Sequence, residues 1–387
     1  MTPAARLAAA IGVLDAILGG ARAEVALTGW ARAARYAGSG DRAAVRDHVF
    51  EALRRRRSLA ALGGGVSGRG LVLGLLRSAG EDPAALFTGA GHAPPPLSDA
   101  EAAHLRAPVA MTEAEALDCP DWLLPLLRES LGEDAAPVLR ALQARAPVFL
   151  RVNVARGPVA AAQASLAAEG IGTRLTQVAK NALEVVENAR RVQASRAFRE
   201  GLVEVQDAAS QAVVEALPVA PGARVLDHCA GGGGKALALA ARGAEVHAHD
   251  ALPRRMADLP ARAARAGARI RLLSDPAAAA PYALVLADVP CSGSGSWRRD
   301  PEGKWRLTPD RLAELTGVQD AILDTVAPLL GAGGALAYAT CSVLRAENED
   351  RIAGFRARHT GWRLESLRRW SPLEGGDGFF LAVLLRD

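Results

Sequence analysis

The stretch Val225–Ala241, VLDHCAGGGGKALALAA, begins as an apolar strand, passes through four consecutive glycines and continues as a helix rich in Ala and Leu. Glycines let the backbone approach a ligand closely. Four further β-branched runs alternate with Ala/Leu-rich segments downstream: AEVHAHD, RIRLLSD, ALVLADVP and ALAYATCS. This alternation predicts an α/β fold with a doubly wound, mainly parallel sheet. The final GFFLAVLLRD is predicted to be an antiparallel closing strand.

Two regions of different pattern precede this one. The N-terminal region predicts helices, because apolar residues recur three and four positions apart without strand-like alternation. After Pro147, a strand, a helix and two strands predict a small α+β module. We therefore expect a helical domain over 1–130, an α+β linker module over 131–200 and the α/β domain over 201–387.

Composition limits the kind of protein and its compartment. Half of the 387 residues are hydrophobic, but no run of about 18 apolar residues occurs, and Asp15 precedes any cleavage-like site. This predicts a soluble, cytoplasmic protein without a membrane partner. The four cysteines form no CxxC pair, which argues against a zinc site and a disulfide framework. We expect reduced thiols and no metal.

The basic residues are unevenly distributed. Residues 1–90 hold 12 Arg against seven Asp and Glu, and Arg54–Arg57 is the densest point. Such a run is usually a solvated helix face, with nucleic-acid contact as the alternative. Only three of the 46 basic residues are lysines, so Lys180, Lys235 and Lys304 mark places where a compact ammonium is needed.

The glycine loop alone leaves the cofactor open. A phosphate-binding GxxxxGK loop would need glycine at Cys229, and Ala236 stands where Ser or Thr would bind magnesium. The next strand ends in Asp250, whose carboxylate can accept both ribose hydroxyls of a nucleoside. Dinucleotides and S-adenosylmethionine both fit this pair of motifs.

Two thiols at strand ends decide between these cofactors. Asp288 and Cys291 lie at the end of ALVLADVPC, and Cys341 lies at the end of ALAYATCS. A hydride-transfer enzyme does not need two such thiols. A cytosine methylase does, because C5 of cytosine is a poor nucleophile until a thiolate adds at C6.

Several motifs together resemble the Sun/Fmu (RsmB-type) RNA cytosine-C5 methyltransferases over roughly residues 148–387. They are LRVNV, VQDAASQ, LDHCAGGGGK, DVPCSGSG, RRDPEGKW, YATCS with ENE, and DGFF. Upstream, helices ending in GDRAAVRDHVFEALRRR are similar to the NusB-like RNA-binding domain of the branch that acts on small-subunit ribosomal RNA.

The resemblance implies a Rossmann-like class I methyltransferase fold with a seven-stranded sheet, S-adenosylmethionine as cofactor and methyl transfer to cytosine C5 through a covalent adduct. Its implied partner is RNA, with 16S ribosomal RNA as the expected substrate and a monomer as the expected state. The alternatives are a transfer RNA substrate, a nicotinamide-dependent oxidoreductase and a non-catalytic RNA-binding factor.

Residue roles in cofactor binding also follow from the resemblance. The cofactor loop falls on Cys229–Lys235, whose amides should meet the methionine end of the cofactor. Asp250 should hold the ribose, Asp275 should lie by the adenine, and Asp288 should face both the methyl donor and the target base. The loop residues are Cys229, Ala230, Gly231, Gly232, Gly233, Gly234 and Lys235.

The catalytic roles implied are those of Cys341 as nucleophile and Cys291 as the group that assists product release. Lys235 is a candidate for favouring the Cys341 thiolate, because a thiol needs a positive neighbourhood to ionise at neutral pH. Contacts to RNA are expected at Arg54, Arg55, Arg56, Arg57, Arg298, Arg299 and Lys304.

Two positions depart from the family pattern. Gly231-Gly232 replaces an Ala-Pro pair, and Ala236 replaces a Thr. Because proline stiffens a loop, the first departure predicts a looser loop and weaker cofactor binding.

Overall fold

The computed structural model describes residues 1–386. Their internal contacts define two units: a helical unit of Met1–Arg145 with Trp297–Arg306, and an α/β unit of Ala146–Ser296 with the chain from Leu307 onward. The predicted domain boundaries at 130/131 and 200/201 stay predictions, and the contacts separate the units between Arg145 and Ala146.

The helical unit contains short and medium-length helices throughout, as the periodicity predicted. They are α1 (Pro3–Leu18), α2 (Ala23–Ala33), α3 (Ser39–Arg54), α4 (Arg56–Gly63), α5 (Gly68–Ala79), α6 (Asp99–Arg106), α7 (Glu113–Ala116), α8 (Leu124–Leu131), α9 (Ala135–Gln143) and, numbered by its place in the chain, α15 (Pro301–Arg306).

The core of this unit depends on a close approach of α4 and α5. A Cβ added at Gly63 would lie 1.8 Å from the Gly70 carbonyl oxygen, and one at Gly74 would lie 2.1 Å from that of Leu59. Only glycine permits these contacts. They let Leu59 and Leu71 join one buried apolar cluster with residues of α1 and α3.

No single helix among residues 1–386 is long and apolar enough to cross a membrane. The α4 and α5 pair passes the same test of length and composition together, with a bend of 87° between the two helices.

The large sheet of the α/β unit has seven strands in the spatial order β10-β11-β9-β8-β5-β6-β7. The strands are β5 (Arg224–Asp227), β6 (Glu245–Ala248), β7 (Ile270–Leu272), β8 (Tyr282–Asp288), β9 (Leu330–Thr340), β10 (Trp362–Trp370) and β11 (Phe379–Arg386). β5 to β9 pair in parallel, β11 pairs antiparallel with β9, and β10 pairs antiparallel with β11. The doubly wound, mainly parallel sheet is confirmed.

Both faces of this sheet are covered. Alternate residues of β8 enter different apolar clusters: Leu284 packs in the cluster that holds Leu239 of a neighbouring helix, and Val285 packs in the one that holds Leu323. The helices of the unit are α10 (Val159–Ala168), α11 (Arg196–Arg199), α12 (Ala208–Glu215), α13 (Gly234–Ala241), α14 (Leu259–Ala266), α16 (Pro309–Val326) and α17 (Glu349–Arg358).

The strand order reverses at β5, which lies between β6 and β8. Ligands of doubly wound folds bind beyond the carboxyl ends of the strands at such a point. The four-glycine loop follows β5, and the two thiol-bearing segments follow β8 and β9. The predicted cofactor-binding and catalytic residues therefore lie at the same edge of the sheet.

A second, antiparallel sheet has the order β2-β3-β1-β4. Its strands are β1 (Val148–Val152), β2 (Thr173–Leu175), β3 (Ala182–Val185) and β4 (Val203–Val205). The first three strands match the predicted α+β module. The short β4 was not predicted and lies beyond residue 200, the expected end of that module.

Candidate active site

The glycine loop is fixed to the end of β6 by Asp250. Gly231 and Gly233 adopt left-handed conformations, with φ of 49° and 77°. The Gly231 amide donates to Asp250 Oδ2 at 3.0 Å, and the Leu252 amide donates to Oδ1 at 2.9 Å. The buried Asp250 therefore shapes the loop as well as facing the site.

A cavity of about 420 Å³ opens beside Asp250, and its walls include His249, Met256, Leu272 and Ser274. Mostly apolar walls with one carboxylate suit a nucleoside. Asp275, predicted to lie by the adenine, follows Ser274; it is exposed, and its carboxylate accepts from the Ala277 amide at 2.9 Å.

Two arginines brace the loop where the family has Ala-Pro. Arg262 of α14 donates to the Gly232 carbonyl, and the buried Arg151 of β1 donates to the Gly234 carbonyl at 2.5 Å. A Cβ at Gly232 would lie 2.8 Å from Arg262 Nη1, so the guanidinium occupies the space that a larger residue would need. Arg151 belongs to the LRVNV motif, but the sequence alone did not indicate that it supports the glycine loop.

The brace is itself anchored to buried groups of the small sheet. Arg151 also donates to Gln206 Oε1 at 2.5 Å, and Arg262 lies 3.4 Å from a carboxylate oxygen of Glu204. Arg265 donates to the other Glu204 oxygen at 2.6 Å. The small sheet and α14 therefore support the cofactor loop from one side.

Asp227, the last residue of β5, carries a carboxylate without a well-formed hydrogen bond. It is fully buried, neither oxygen has a partner within normal geometry, and the Ala236 amide only lowers its pKa slightly. Burial, followed by repulsion from Asp288, raises the pKa of Asp227 to about 7. Such an orphaned acid beside a glycine cradle fits a positively charged ligand such as S-adenosylmethionine.

Lys235 and Asp288 form a buried ion pair between the cofactor loop and β8. Lys235 Nζ lies 2.7 Å from Asp288 Oδ2 and 4.9 Å from the centre of the Phe379 ring. Burial disfavours the charged form of Lys235, but the Asp288 carboxylate outweighs it and raises the lysine pKa. Lys235 is therefore a fixed positive charge in the site.

The two predicted catalytic thiols meet, with the Sγ atoms of Cys291 and Cys341 3.4 Å apart. The hydrogen bond from Cys291 lowers the pKa of Cys341 below that of an ordinary thiol. Lys235 lowers it further, whereas burial and the Asp288 carboxylate oppose this change. The same hydrogen bond, together with burial, raises the pKa of Cys291 well above that value. The pKa values of the two thiols are therefore shifted in opposite directions, with that of Cys341 lowered.

Glu347 of the ENE motif holds both thiol-bearing segments. Its carboxylate accepts from the Ser292 amide at 2.7 Å, from the Ser292 hydroxyl at 2.5 Å, from the Ser342 hydroxyl at 2.5 Å and from Gln319 Nε2 at 3.1 Å. Ser292 follows Cys291 and Ser342 follows Cys341, so one buried acid fixes the separation of the thiols. Sequence reasoning quoted the motif but did not find this role.

The predicted RNA-binding residues are largely internal to the helical unit. Lys304 is 2% exposed and Arg298 is 4% exposed. Lys304 Nζ donates to the Arg54 carbonyl at 3.2 Å, and Arg54 Nε donates to the Arg298 carbonyl at 2.7 Å. The assignment of Lys304 and Arg298 to RNA is corrected, because buried side chains cannot reach a phosphate. Arg299 is exposed.

The rest of the Arg54–Arg57 tract also has internal partners. The Arg56 guanidinium lies 5.4 Å from the centre of the Trp305 ring, and Arg57 donates to the Cys119 carbonyl and to Asp121, both at 2.7 Å. Arg55 Nη1 donates to Ser78 Oγ at 3.3 Å. Each side chain of the tract thus has a partner within its own unit.

The remaining cysteines and possible metal ligands carry no separate chemistry. Burial raises the pKa of Cys119 to about 12, and burial with nearby carboxylates raises that of Cys229 still further. Within residues 1–386, no three His, Cys, Asp or Glu side chains are grouped to hold a metal ion.

Comparison with known proteins identifies the family. The family model described as 16S rRNA methyltransferase RsmB/F matches residues 214–384, and one described as the RsmF/B-like ferredoxin-like domain matches residues 119–193. The crystal structure of PH0851 superposes with a TM-score of 0.78 at 22% identity over 99% of both chains, which shows a shared fold.

Two curated relatives support the same conclusion. Ribosomal RNA small subunit methyltransferase B of Xylella fastidiosa is 34% identical over 73% of this chain and 69% of its own length. The protein of the same name from Xanthomonas campestris is 33% identical over 69% of this chain and 66% of its own length, so the match spans about two thirds of each relative. The chain belongs to the RsmB/F family of 16S rRNA methyltransferases and is an S-adenosylmethionine-dependent RNA methyltransferase.

Proposed function

We propose that this chain methylates C5 of a cytosine in small-subunit ribosomal RNA, with Cys341 as the nucleophile and Cys291 as the group that assists release. The observation that carries this proposal is the 3.4 Å pair of thiols beside the Lys235–Asp288 ion pair. One copy of the chain holds every side chain invoked, and the proposal requires neither a metal nor a membrane.

The choice of Cys341 as nucleophile rests on its surroundings. Only a thiolate attacks efficiently, and the Cys291 hydrogen bond and the Lys235 charge both favour ionisation of Cys341. The hydrogen bond to Cys341 and burial raise the pKa of Cys291 instead. The two thiols are therefore unequal before any substrate binds.

S-adenosylmethionine supplies the methyl group, and the side chains prepare the base to accept it. The Cys341 thiolate forms a bond to C6 of cytosine, which makes C5 nucleophilic. After methyl transfer, a base removes the C5 proton. Cys291 is our candidate for it, because the bond from Cys341 to C6 ends the hydrogen bond that raises the pKa of Cys291 and lets Cys291 lose its own proton first. The resulting electron pair re-forms the C5–C6 double bond, expels the Cys341 thiolate and frees the enzyme.

Asp288 is the candidate for base selection. Its carboxylate is half-buried beside Lys235 and retains an oxygen that can accept from the N4 amino group of cytosine. Uracil presents O4 at that position, a second acceptor that a carboxylate would repel. The target base must leave its stack, which favours an unpaired loop nucleotide over a paired one.

The glycine loop, its arginine braces and the cavity by Asp250 are proposed to hold the cofactor. Asp227 ends β5 just before this loop, and its unpartnered buried carboxylate is proposed to favour the positive charge of the ligand through its electrostatic potential, without contacting the ligand. Asp275 is proposed only as an outer residue, because its carboxylate is already engaged with the Ala277 amide.

The experiment uses the purified chain, in vitro transcribed 16S ribosomal RNA and S-adenosylmethionine labelled in its methyl group. We expect incorporation at a cytosine, located by bisulfite sequencing. Transfer RNA serves as the competing substrate. Preferential methylation of transfer RNA would overturn the substrate, and label in uracil or in a base nitrogen would overturn the chemistry.

A further inference from the structure

The helical unit carries an open cavity of about 610 Å³ whose walls come from α2, α3 and the turn between them. Four arginines contribute to it together with the half-buried Trp30. They are Arg32, Arg35, Arg42 and Arg46. None belongs to the Arg54–Arg57 tract, and no step of the proposed reaction uses them.

The charge of this cleft is only partly neutralised. Arg46 donates to both carboxylate oxygens of Glu24, at 2.8 and 2.5 Å, and lies 4.7 Å from the centre of the Phe50 ring. The side chains of Arg32, Arg35 and Arg42 are exposed, and their guanidinium groups have no hydrogen-bond or ion-pair partner among residues 1–386. Three guanidinium groups are therefore available to an anion.

The neighbouring acids are engaged elsewhere. Asp41 precedes Arg42 in sequence, but its carboxylate holds the N-terminal amine at 3.1 Å and Arg6 at 2.8 Å. Asp47 lies 3.1 Å from Arg145. Asp47 also acts on Arg46, so the positive charge that remains in the cleft is that of Arg32, Arg35 and Arg42.

Aromatic side chains lie beside the arginines. Trp30 lines the cleft, and Tyr36, in the turn that follows Arg35, is 74% exposed. An exposed tyrosine next to free guanidinium groups is a surface on which an unpaired base can stack while phosphates bind the arginines. A purely acidic protein partner would not need the aromatic groups.

We propose that this cleft, and not the Arg54–Arg57 tract, is where the helical unit binds RNA. Arg32, Arg35 and Arg42 contact phosphates, and Tyr36 stacks on an unpaired base. The inference rests on the proposed function, because it assumes that RNA is the substrate.

The first test is the triple variant Arg32→Gln, Arg35→Gln, Arg42→Gln in the full chain. Binding to in vitro transcribed 16S ribosomal RNA is measured over a series of salt concentrations. We expect at least about a tenfold loss of affinity and a log-log salt slope flatter by about two units, since each phosphate contact contributes roughly 0.7 to 0.9. The matched control replaces three other exposed arginines, Arg106, Arg140 and Arg356, with Gln.

RNA affinity and methylation test the cleft and the proposed function separately. Wild-type and triple-variant protein should reach the same methylation rate at saturating RNA, with the difference confined to KM. Affinity and slope equal to those of the control variant would overturn the inference while leaving the proposed function intact. Absence of RNA methylation in the wild type would instead overturn the proposed function.

The second test compares Tyr36→Ala with Tyr36→Phe. Stacking requires only the ring, so we expect Ala to weaken RNA binding at least about fivefold and Phe to leave it within about twofold. Equal affinity of the Ala variant and the wild type would remove Tyr36 from the contact. Circular dichroism of each variant checks that the helices are retained.

Discussion

The active site has a cofactor half around the glycine loop and a thiol half around Cys291 and Cys341. The two halves differ in how their buried carboxylates are hydrogen-bonded. In the cofactor half, Asp227 has no well-formed hydrogen bond although it is fully buried, and the Nδ1 atom of His228 also lacks a partner. In the thiol half, the Glu347 carboxylate alone accepts from four donors. We call the first the incomplete half and the second the saturated half, after the state of these two carboxylates.

The difference follows what each half must hold. An unsatisfied buried acid costs stability until a cation arrives, so it converts part of the folding free energy into affinity for a positive ligand. Two sulfur atoms that act in sequence need a fixed separation instead, and dense hydrogen bonding of the flanking serines provides it. Substitutions in the two halves should therefore impair different properties, cofactor affinity in the first half and turnover in the second.

The largest effects are expected at the thiols themselves. Cys341→Ala should lower turnover on the order of 10³-fold or more and leave no covalent species, because the first bond never forms. Cys291→Ala should also abolish turnover but still add to cytosine and accept the methyl group, leaving protein cross-linked to methylated RNA. A denaturing gel with labelled RNA distinguishes these outcomes.

The reverse pattern, with a shifted band in Cys341→Ala and none in Cys291→Ala, would exchange the two roles. No band in either variant with activity retained would exclude covalent catalysis here.

Next in size is Glu347→Gln in the saturated half. Loss of the buried charge should cost about 2 kcal/mol of stability and reduce turnover, because Ser292 and Ser342 lose an acceptor. Affinity for S-adenosylmethionine should stay unchanged. Thermal unfolding and calorimetry measure the two quantities.

Glu349→Gln is the matched control, since this acid of the same motif forms a more exposed ion pair with Arg369. Such a pair should contribute less than about 1 kcal/mol. A Glu347 variant that weakened cofactor binding as much as turnover would erase the contrast between the halves.

A pH-dependent effect is expected for Asp227→Asn in the incomplete half. The pKa of Asp227 is raised to about 7 in the folded protein, so its protonated form stabilises the fold at acid pH, and this stability is lost as the pH rises toward and through 7. The wild type should lose on the order of 1–2 kcal/mol between pH 6 and 8 relative to the variant, whose side chain does not titrate.

The same variant should bind S-adenosylmethionine more weakly at pH 8, where the wild type has the carboxylate. If the free energy of unfolding changed with pH equally in both proteins across that range, Asp227 would titrate normally. The proposed difference between the two halves would then be wrong.

The smallest effect is expected at the loop brace. Arg262→Ala should weaken cofactor binding roughly three- to tenfold by freeing the Gly232 carbonyl. Gly232→Ala alone should also weaken it, because the new Cβ displaces the guanidinium. When Gly232→Ala is added to Arg262→Ala, it should lower cofactor affinity much less than it does in the wild type. Additive losses, measured by calorimetry, would show that the two residues act independently.

The sequence predicted the large sheet well because its inner strands are apolar on both faces, as in ALVLADVP. It missed β10, whose sequence WRLESLRRW is mostly polar and lies at the sheet edge, where one side needs no partner strand. It also missed the three-residue β4.

Site prediction failed where burial, not residue type, decides the role. Cys291, Cys341 and Asp288 were located because strand ends converge in a parallel sheet. Lys304 was assigned to RNA on its charge and its place in a basic tract flanked by tryptophans, whereas burial lowers its pKa to about 8 and its ammonium donates to the Arg54 carbonyl. Charge in a sequence does not reveal whether a side chain points inward.

The helical unit is completed by Trp297–Arg306, a segment encoded some 150 residues after the rest of it. Trp305 Nε1 donates to the Leu53 carbonyl at 2.6 Å, and Glu302 accepts from the Ala23 amide at 2.9 Å. A truncation after residue 145 would therefore remove internal partners from α2 and α3. Shuffling this unit between enzymes, in a laboratory or in evolution, requires exchanging two separate stretches of the gene together.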